Sequence, residues 1–300
     1  MDAIHINWTR PFFAGGRSEA EYYIEDVDLL TTIISALKWR QFNGSIKLYT
    51  DKVGEAYYES MGITGIWDKG INTSVLEEFG HNMNPYVFWA AGKLAALGNE
   101  QAPCAMLDTD LIVWGNINES IKNDVTVFHR EELIDWVYVP RHYLNTADGY
   151  EFDESWRWDV LACNTAFACF MDSDFKNYYV GEALRFMEGN CLNNADVDAL
   201  RVSHMVFAEQ RLLAMCAQKA GRSIGTLLPN DCACWDNQQL FTHLWGHKEE
   251  LRNDAAKRET FCSKCIEIIV NEFPEWVDML YKIKSLEKYL NRVNIPGNQG

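Results

Sequence analysis

The alternation of short apolar runs with longer amphipathic segments is the feature that most constrains how this 300-residue chain can fold. Helical periodicity is present from Ser18 to Gly44, through Tyr57 and Met61, and from Pro85 to Gly98. It returns over 174–189 and 204–220, and over 254–290 with a break at Pro274. The predicted strands are IHINW (4–8), SIKLYTD (45–51), CAMLDTDLIVWGNI (104–117), VTVFH (125–129), WVYVP (136–140), NTAFACFM (164–171), SIGTLLP (223–229) and FTHLWG (241–246). This alternation predicts an α/β fold with a mostly parallel central sheet flanked by helices, and ligands beyond the carboxyl ends of the strands.

Charge and composition limit the partners and the compartment. The chain has 43 acidic and 27 basic residues, a formal net charge of −16, which repels nucleic acids and anionic membrane surfaces. Its N-terminal segment, MDAIHINWTRPFF, lacks a basic region followed by an apolar run, and no window has the length of a membrane span. We therefore expect a cytoplasmic protein with no nucleic-acid partner and no transmembrane segment.

The cysteines favour reduced thiols. Nine of them, an odd number, are scattered over a chain large enough to fold without disulfides. Cys232 with Cys234 and Cys262 with Cys265 are an alternative set of four zinc ligands. The first pair lacks the usual two-residue gap and the second lies in a helical pattern, so buried or free thiols are favoured.

Two aspartates interrupt the apolar run that begins at Cys104. Residues i and i+2 of a strand point to the same side, so Asp108 and Asp110 lie together there or at the turn where the strand ends. Two anions this close repel each other unless a cation joins them, and Mg²⁺ or Mn²⁺ shared with substrate phosphates suits such a pair. The alternative, a pair of solvated turn aspartates, is less favourable here because unpaired charge next to apolar residues is costly.

A phosphatase is one class of enzyme that has D-x-D after an apolar strand. In haloacid-dehalogenase-like phosphotransferases the first aspartate, here Asp108, is the nucleophile. Their motif continues with threonine or valine at the position that Ile112 occupies, and it usually lies near the start of the domain. Here 107 residues with at least two predicted strands precede Asp108, which weakens this hypothesis.

The order of motifs over residues 3–250 resembles that of GT-A glycosyltransferases. LYTD, ending at Asp51, looks like the end of the nucleotide-binding second strand, and FWAAGKLAAL resembles the helix that carries a basic residue before the D-x-D. CNTAFACF, AEQRLLAM and THLWGHK resemble the acceptor-side strand, the helix that lines the sugar site and the late metal-binding element. The last element is similar to the H-x-x-G of glycogenin-like retaining transferases, although the spacing to its lysine is one residue shorter here. Within that class the chain most resembles uncharacterised bacterial transferases related to capsule and lipopolysaccharide sugar transfer, which share a W-A-x-G-K helix, the D-x-D strand and a late H-x-W-G-like element.

This resemblance implies a set of site residues. Asp108, Asp110 and His243 would hold Mn²⁺ or Mg²⁺, with His247 as an alternative ligand, and the catalytic residues would be Asp108, Lys93 and Glu209. The residues expected to bind the nucleotide sugar are Trp8, Tyr49, Thr50, Asp51, Lys93, Asp108, Asn164, Gln210 and Lys248.

The resemblance also implies a reaction, a metal-dependent transfer of a sugar from a nucleotide diphosphate sugar, with UDP-linked donors and retention of configuration favoured. The acceptor, whether carbohydrate, lipid-linked or protein, is left open. An inverting enzyme would need a carboxylate base, for which Glu209, Asp172 and Asp153 are candidates. Trp156 and Trp158 are candidates for stacking on an acceptor sugar. A non-catalytic module that binds nucleotide sugars is the alternative of another class.

The motifs also suggest a domain division. Residues 1–250 form the expected catalytic domain, with a nucleotide half over about 1–118 and an acceptor half over about 119–250. Residues 251–300 form a C-terminal helical extension, and three roles are open for it. These helices cover the sheet, bind a partner protein, or pair with the same helices of a second copy in a homo-oligomer.

Overall fold

A computed structural model describes residues 1–14, 16–190, 197–229 and 238–293, and in it a seven-stranded sheet lies between two helical layers. The strands are β1 (Ala3–Asn7), β2 (Ile46–Thr50), β3 (Ile71–Asn72), β4 (Cys104–Leu107), β5 (Leu111–Val113), β6 (Val125–Glu131), β7 (Ala162–Phe170), β8 (Ile224–Thr226) and β9 (Phe241–His243). The helices are α1 (Arg10–Phe13), α2 (Asp26–Phe42), α3 (Lys52–Met61), α4 (Ser74–Glu78), α5 (Ala91–Asn99), α6 (Ser173–Met187), α7 (Val197–Val206), α8 (Leu212–Lys219), α9 (Lys248–Asn253), α10 (Ala255–Glu272), α11 (Val277–Lys282) and α12 (Glu287–Leu290).

The large sheet has the order β3-β2-β1-β4-β7-β6-β8. Every strand in it except β7 runs in the same direction, because only the pairs β4–β7 and β6–β7 are antiparallel. β5 and β9 form a separate two-stranded antiparallel sheet. The predicted α/β class with a mostly parallel sheet flanked by helices is confirmed.

Successive side chains of the central strands enter two different cores, as the period of two in a strand requires. Ala3 and Leu48 face the core that also contains residues of α2 and α10. Ile4 and Tyr49 face the core that contains residues of α5, α6 and α8. Both faces of the sheet are covered, which explains why its strands read as apolar runs rather than as alternating patterns.

Several local predictions were wrong. The strand predicted over 104–117 is interrupted by a turn after Asp108, and its two parts, β4 and β5, belong to different sheets. The segment 136–140 is not a strand, because a turn forms there with a 2.8 Å hydrogen bond from the backbone N–H of Tyr138 to the carbonyl of Ile134. Ser18 caps a single 3₁₀ turn, and α2 begins later, at Asp26. The helix predicted from Pro85 begins only at Ala91. The side chain of Asn84 accepts a hydrogen bond from the backbone N–H of Tyr86 and stabilises a separate turn before the helix. In each case local hydrogen bonding competes with the helix or strand pattern.

The C-terminal helices share a core with the sheet. Cys262 and Cys265 on α10 pack in the same cluster as Leu48, and α10 ends at Glu272, shortly before the predicted break at Pro274. Glu272 forms an ion pair with the buried Lys38 of α2. The division near residue 250 and a homo-oligomeric role for these helices stay predictions.

The zinc alternative receives no support from the second cysteine pair. Both thiols are free and buried among apolar residues, and burial raises the pKa of Cys262 to about 11, which favours the thiol over the thiolate that zinc binds. Cys232 and Cys234 lie outside the described residues.

Among the helices of the described ranges, none combines the length and the apolar character needed to cross a bilayer.

His5 lies fully buried in β1 and links three elements. Its Nδ1 accepts a hydrogen bond from the indole N–H of Trp67 (3.2 Å), and its Nε2 lies 3.1 Å from the hydroxyl of Ser35. That hydroxyl donates to the carbonyl of Leu111 (2.5 Å), which follows Asp110 in the chain. Burial lowers the pKa of His5 to about 3, outweighing the opposing charge of Asp110. The imidazole is therefore neutral, with Nδ1 as acceptor and Nε2 as donor.

We expect this histidine to make the fold acid-sensitive. Below about pH 6.5 the unfolded chain binds a proton at His5 that the folded chain does not bind until about pH 3, so stability decreases as the pH falls through this interval. The contribution is about 1.4 kcal/mol per pH unit at most. Denaturant unfolding at pH 6.5, 5.5 and 4.5 measures it, with His5→Gln expected to show a shallower slope than the wild type. The exposed His81→Gln is the control, and equal slopes for His5→Gln and wild type would contradict the assignment.

Candidate active site

Polar residues from four chain segments lie at the same end of the large sheet. Asp108 directly follows β4, and Asp51 directly follows β2, which is parallel to it. Glu131 ends β6, which has the same direction. β7 runs the opposite way, so Asn164 and Thr165 near its start lie at this same end. These polar side chains lie beyond the carboxyl ends of the strands, where the sequence predicts that ligands bind, and ligand binding there stays a prediction.

Asp108, Asp110 and His243 form a compact cluster, although His243 is far away in the chain. The backbone N–H of Asp108 donates to the carbonyl of Ala166 (2.8 Å), which positions the turn after β4. β5 then pairs with β9 so that Leu111 lies opposite His243. One ligand atom from each of Asp108, Asp110 and His243 lies within 4.8 Å of the other two.

The cluster fits a divalent cation. Nε2 of His243 is buried and has no hydrogen-bond partner, and it lies 3.7 Å from Oδ1 of Asp110. The imidazole packs edge-on against Phe128 at 5.6 Å between ring centroids, which fixes its orientation. A buried nitrogen without a partner is costly, and a metal ion would satisfy it. Two carboxylates and one imidazole form a donor set suited to Mn²⁺ or Mg²⁺.

Lys93 joins the cluster to Glu209. Its ammonium group contacts Asp108 and lies 2.8 Å from Oε1 of Glu209, which also accepts a 2.8 Å hydrogen bond from the hydroxyl of Thr165. Burial would lower the pKa of Lys93, but the two carboxylates outweigh it and hold that pKa above its usual value. Helix α5 approaches closely enough because residue 92 is glycine, where an added Cβ would lie 2.6 Å from Cβ of Trp8.

Lys248 bridges two aspartates on the other side of the cluster. It is the first residue of α9, and its Nζ lies 2.8 Å from Asp110 and 2.7 Å from Asp28 on α2. Burial would raise the pKa of Asp110, yet Lys248 and His243 hold it below its usual value. Asp28 is a residue that the sequence reasoning missed, since the first turn of a helix is a common place for aspartate and no motif marks it.

The predicted nucleotide-binding residues of the first half are largely engaged within the protein. The hydroxyl of Tyr49 bonds Glu100 (2.5 Å), and that of Thr50 donates to the carbonyl of Asn7 (2.7 Å). Asp51 caps α3 and accepts hydrogen bonds from the backbone N–H and the hydroxyl of Thr9. Trp8 is buried, although its indole N–H has no partner. Contact of these four residues with a nucleotide stays a prediction.

In the second half of the chain, Asn164 and Gln210 belong to one hydrogen-bond network. The side-chain amide of Asn164 donates to Glu131 (2.6 Å), and the hydroxyl of Tyr138 lies 2.6 Å from both Glu131 and Gln210. No sequence motif marks Glu131 or Tyr138, because each joins this network through a partner that is distant in the chain, Asn164 or Gln210. Lining of the donor site by Asn164 and Gln210 stays a prediction.

A π-helical turn between α7 and α8, Phe207–Arg211, carries Glu209 and Gln210. The backbone carbonyl of Glu209 accepts a 2.5 Å hydrogen bond from the hydroxyl of Tyr179, so this carbonyl has a partner within the turn's surroundings. Such turns are rare, frequently occur at functional sites, and cannot be recognised from apolar spacing. Within this turn Glu209 contacts Lys93, and Gln210 accepts a hydrogen bond from Tyr138.

Several other candidates have partners away from the cluster. Asp172 caps α6 and pairs with Arg222, and Asp153 pairs with Lys219. His247 is exposed and lies 3.6 Å from Glu250. Trp156 is only 4% exposed, so the expectation that it stacks on an acceptor sugar was wrong: it packs in the core instead. Trp158 stacks on Phe207 at 5.6 Å between ring centroids.

Comparison with known families gives one match. The family described as "Family of unknown function (DUF6734)" matches residues 1–283. No curated protein matches the sequence.

Several solved structures are similar to this chain at low identity. An active-site mutant of LgtC is 11% identical with a TM-score of 0.42, over 93% of this chain and all (100%) of that one. Mouse xyloside xylosyltransferase 1 is 11% identical with a TM-score of 0.37, over 76% of this chain and 85% of that one. A nucleoside-diphosphate-sugar pyrophosphorylase from Vibrio cholerae is 13% identical with a TM-score of 0.38, over 84% and 98%. Overlaps below a TM-score of 0.5 provide no residue-by-residue correspondence, so the roles of residues here depend on the geometry above.

Proposed function

We propose that this chain, which belongs to the DUF6734 family, is a metal-dependent glycosyltransferase that uses a nucleoside diphosphate sugar, with a UDP-linked donor favoured. The observation that carries the proposal is the Asp108–Asp110–His243 cluster beyond the carboxyl ends of the strands, with a lysine on each side. Carboxylate, imidazole and ammonium groups together suit a diphosphate bound through a divalent cation.

The chain's own residues would act mainly by position and charge. Asp108, Asp110 and His243 would hold the cation, which when bound supplies positive charge to a departing diphosphate. Lys248 would offset further leaving-group charge, and Lys93 would orient the donor from the opposite side. Preorganised charges of this kind lower a barrier without forming a covalent bond to the protein.

We propose retention at the anomeric carbon. Glu209 is the only one of the three candidate bases that lies beside the cluster, and its Oε1 is already engaged by Lys93 and Thr165. An ammonium group and a hydroxyl thus already occupy this oxygen, whereas a general base must lie within hydrogen-bond reach of the acceptor hydroxyl. Proton NMR of the freshly formed product distinguishes retention from inversion.

Calorimetry of UDP with and without Mn²⁺, together with a donor-hydrolysis assay, tests the proposed function. We expect UDP to bind appreciably only when Mn²⁺ is present, because two acidic side chains otherwise face its phosphates. UDP affinity that is indifferent to Mn²⁺ would contradict the metal-dependent site.

Two alternatives predict different results. A non-catalytic module would bind UDP with Mn²⁺ but show no donor hydrolysis and no transfer on a broad panel of acceptors. A phosphatase would hydrolyse a generic aryl phosphate and lose that activity in Asp108→Asn. The donor sugar then follows from a nucleotide-sugar screen by thermal shift with Mn²⁺, since a ligand that binds the native state raises its apparent stability.

A further inference from the structure

Each aspartate of the D-x-D pair shares a lysine with a carboxylate outside the metal cluster. Lys93 contacts Asp108 and Glu209, and Lys248 contacts Asp110 and Asp28. These four carboxylates and two ammonium groups leave two negative charges, which one divalent cation neutralises. The site is thus balanced for a cation even though both of its aspartates already have lysine partners.

Lys248 occupies a position that conflicts with a bound cation. Its Nζ lies 2.8 Å from Oδ2 of Asp110, so a cation on Asp110 would repel this ammonium group at short range. Oδ1 of Asp28, at 2.7 Å, offers the ammonium group a second partner that is not part of the metal cluster. Arg252 approaches the other oxygen of Asp28 at 3.8 Å, and its stronger contact is with Glu25 at 2.8 Å.

Helix α2 makes Asp28 a fixed partner. Asp28 lies between the buried residues Val27 and Leu29, which belong to the core beneath the sheet. Its carboxylate therefore stays in place when Lys248 moves, because helix α2 cannot shift without disturbing that core.

We propose that Asp28 is a positioning residue that receives Lys248 when a divalent cation binds Asp110. Without a diphosphate, Lys248 competes with the cation for Asp110. With the cation bound, Lys248 stays on Asp28, from where it is available to a diphosphate. This inference rests on the proposed function, because it takes the cluster to be a cation site.

The two residues then affect cation binding in opposite directions. Lys248→Met removes the competitor, so Mn²⁺ alone binds more tightly, by about tenfold. Asp28→Asn leaves Lys248 with Asp110 as its main partner, so Mn²⁺ alone binds more weakly, by about threefold. In the Lys248→Met background, Asp28→Asn has no further effect, because Asp28 acts through the lysine. A role for Asp28 as a distant negative charge would instead weaken Mn²⁺ binding equally in both backgrounds.

Titration of Mn²⁺ by electron paramagnetic resonance on the full chain, without nucleotide, measures these affinities. Asp26→Asn removes a charge from the same turn of α2, where Asp26 pairs with Lys288, and Lys257→Met removes a cation that pairs with Glu250. Both controls should retain wild-type affinity. A repeat with UDP present should show that Lys248→Met loses the gain in Mn²⁺ affinity that UDP confers on the wild type.

The results distinguish a failure of the proposed cation and UDP site from a failure of the positioning role of Asp28. If the wild type binds neither Mn²⁺ nor UDP, the proposed function falls and this inference falls with it. If the wild type binds both, but Lys248→Met does not tighten Mn²⁺ binding or Asp28→Asn acts equally in both backgrounds, only the positioning role is overturned.

Discussion

Asp110→Asn should abolish Mn²⁺-dependent binding of UDP and lower the affinity for Mn²⁺ by roughly 100-fold or more. Mutation of a residue that only hydrogen-bonds to a metal ligand already lowers metal affinity by about 10–100-fold, and Asp110 is proposed to be a ligand itself. Asp110 is 7% exposed and is the residue of the cluster that both Lys248 and His243 approach. The amide keeps the shape of the side chain but removes its charge, so the change acts on the cation with little effect on packing. His243→Ala should weaken binding less, because it removes a neutral ligand and leaves both carboxylates.

Calorimetry with Mn²⁺ and UDP measures both variants, and thermal unfolding verifies that each is folded. Glu119→Gln, which neutralises an exposed carboxylate on another turn, is the matched control and should bind like the wild type. Mn²⁺-dependent UDP binding that survives Asp110→Asn would place the cation elsewhere.

Lys93→Met should destabilise the fold by about 3 kcal/mol, the cost typical of removing one partner from a buried ion pair. The side chain of Glu209 is 6% exposed, and without Lys93 it keeps only the hydroxyl of Thr165 as a side-chain donor. Adding Glu209→Gln to Lys93→Met should restore much of this loss, because the amide carries no charge that needs a partner. Denaturant unfolding of the two single variants and the double variant forms a complete cycle.

Lys69→Met is the control for this cycle. Its ion pair with Asp2 is largely exposed, and exposed pairs contribute about 0–1 kcal/mol. If Lys93→Met proved no more destabilising than Lys69→Met, the bridge between Asp108 and Glu209 would have no structural importance. In the folded Lys93→Met variant we also expect altered use of the donor sugar, and unchanged kinetic constants would remove Lys93 from the donor site.

The fold class was predictable because its signal is local and repeated. Apolar runs such as IHINW and SIKLYTD are buried on both faces of the sheet, and that burial is visible as continuous apolar character. The segment WVYVP is similarly apolar but forms a turn. A strand needs a neighbouring strand to pair with, and apolar character does not reveal whether one is present.

The grouping of Asp108, Asp110 and His243 was predictable for a different reason. Asp108 and Asp110 are anomalous within an apolar run, and His243, the last residue of β9, begins the H-x-x-G element. No such signal marks three other residues at the site, because each contacts a partner that is distant in the chain. These pairs are Glu131 with Asn164, Tyr138 with Gln210, and Asp28 with Lys248.

The sequence by itself determined the α/β architecture, the end of the sheet where polar groups collect, and the identity of the acidic pair. These features follow from the spacing of residues that are neighbours in the chain, which sets the strand and helix periods. Only the tertiary structure decided which lysine faces which carboxylate. The pairing of β5 with β9, and the ion pair of Lys248 on α9 with Asp28 on α2, bring Asp110, His243, Lys248 and Asp28 together. Interactions between charges depend on distance in space, and the spacing of residues along a chain does not specify that distance.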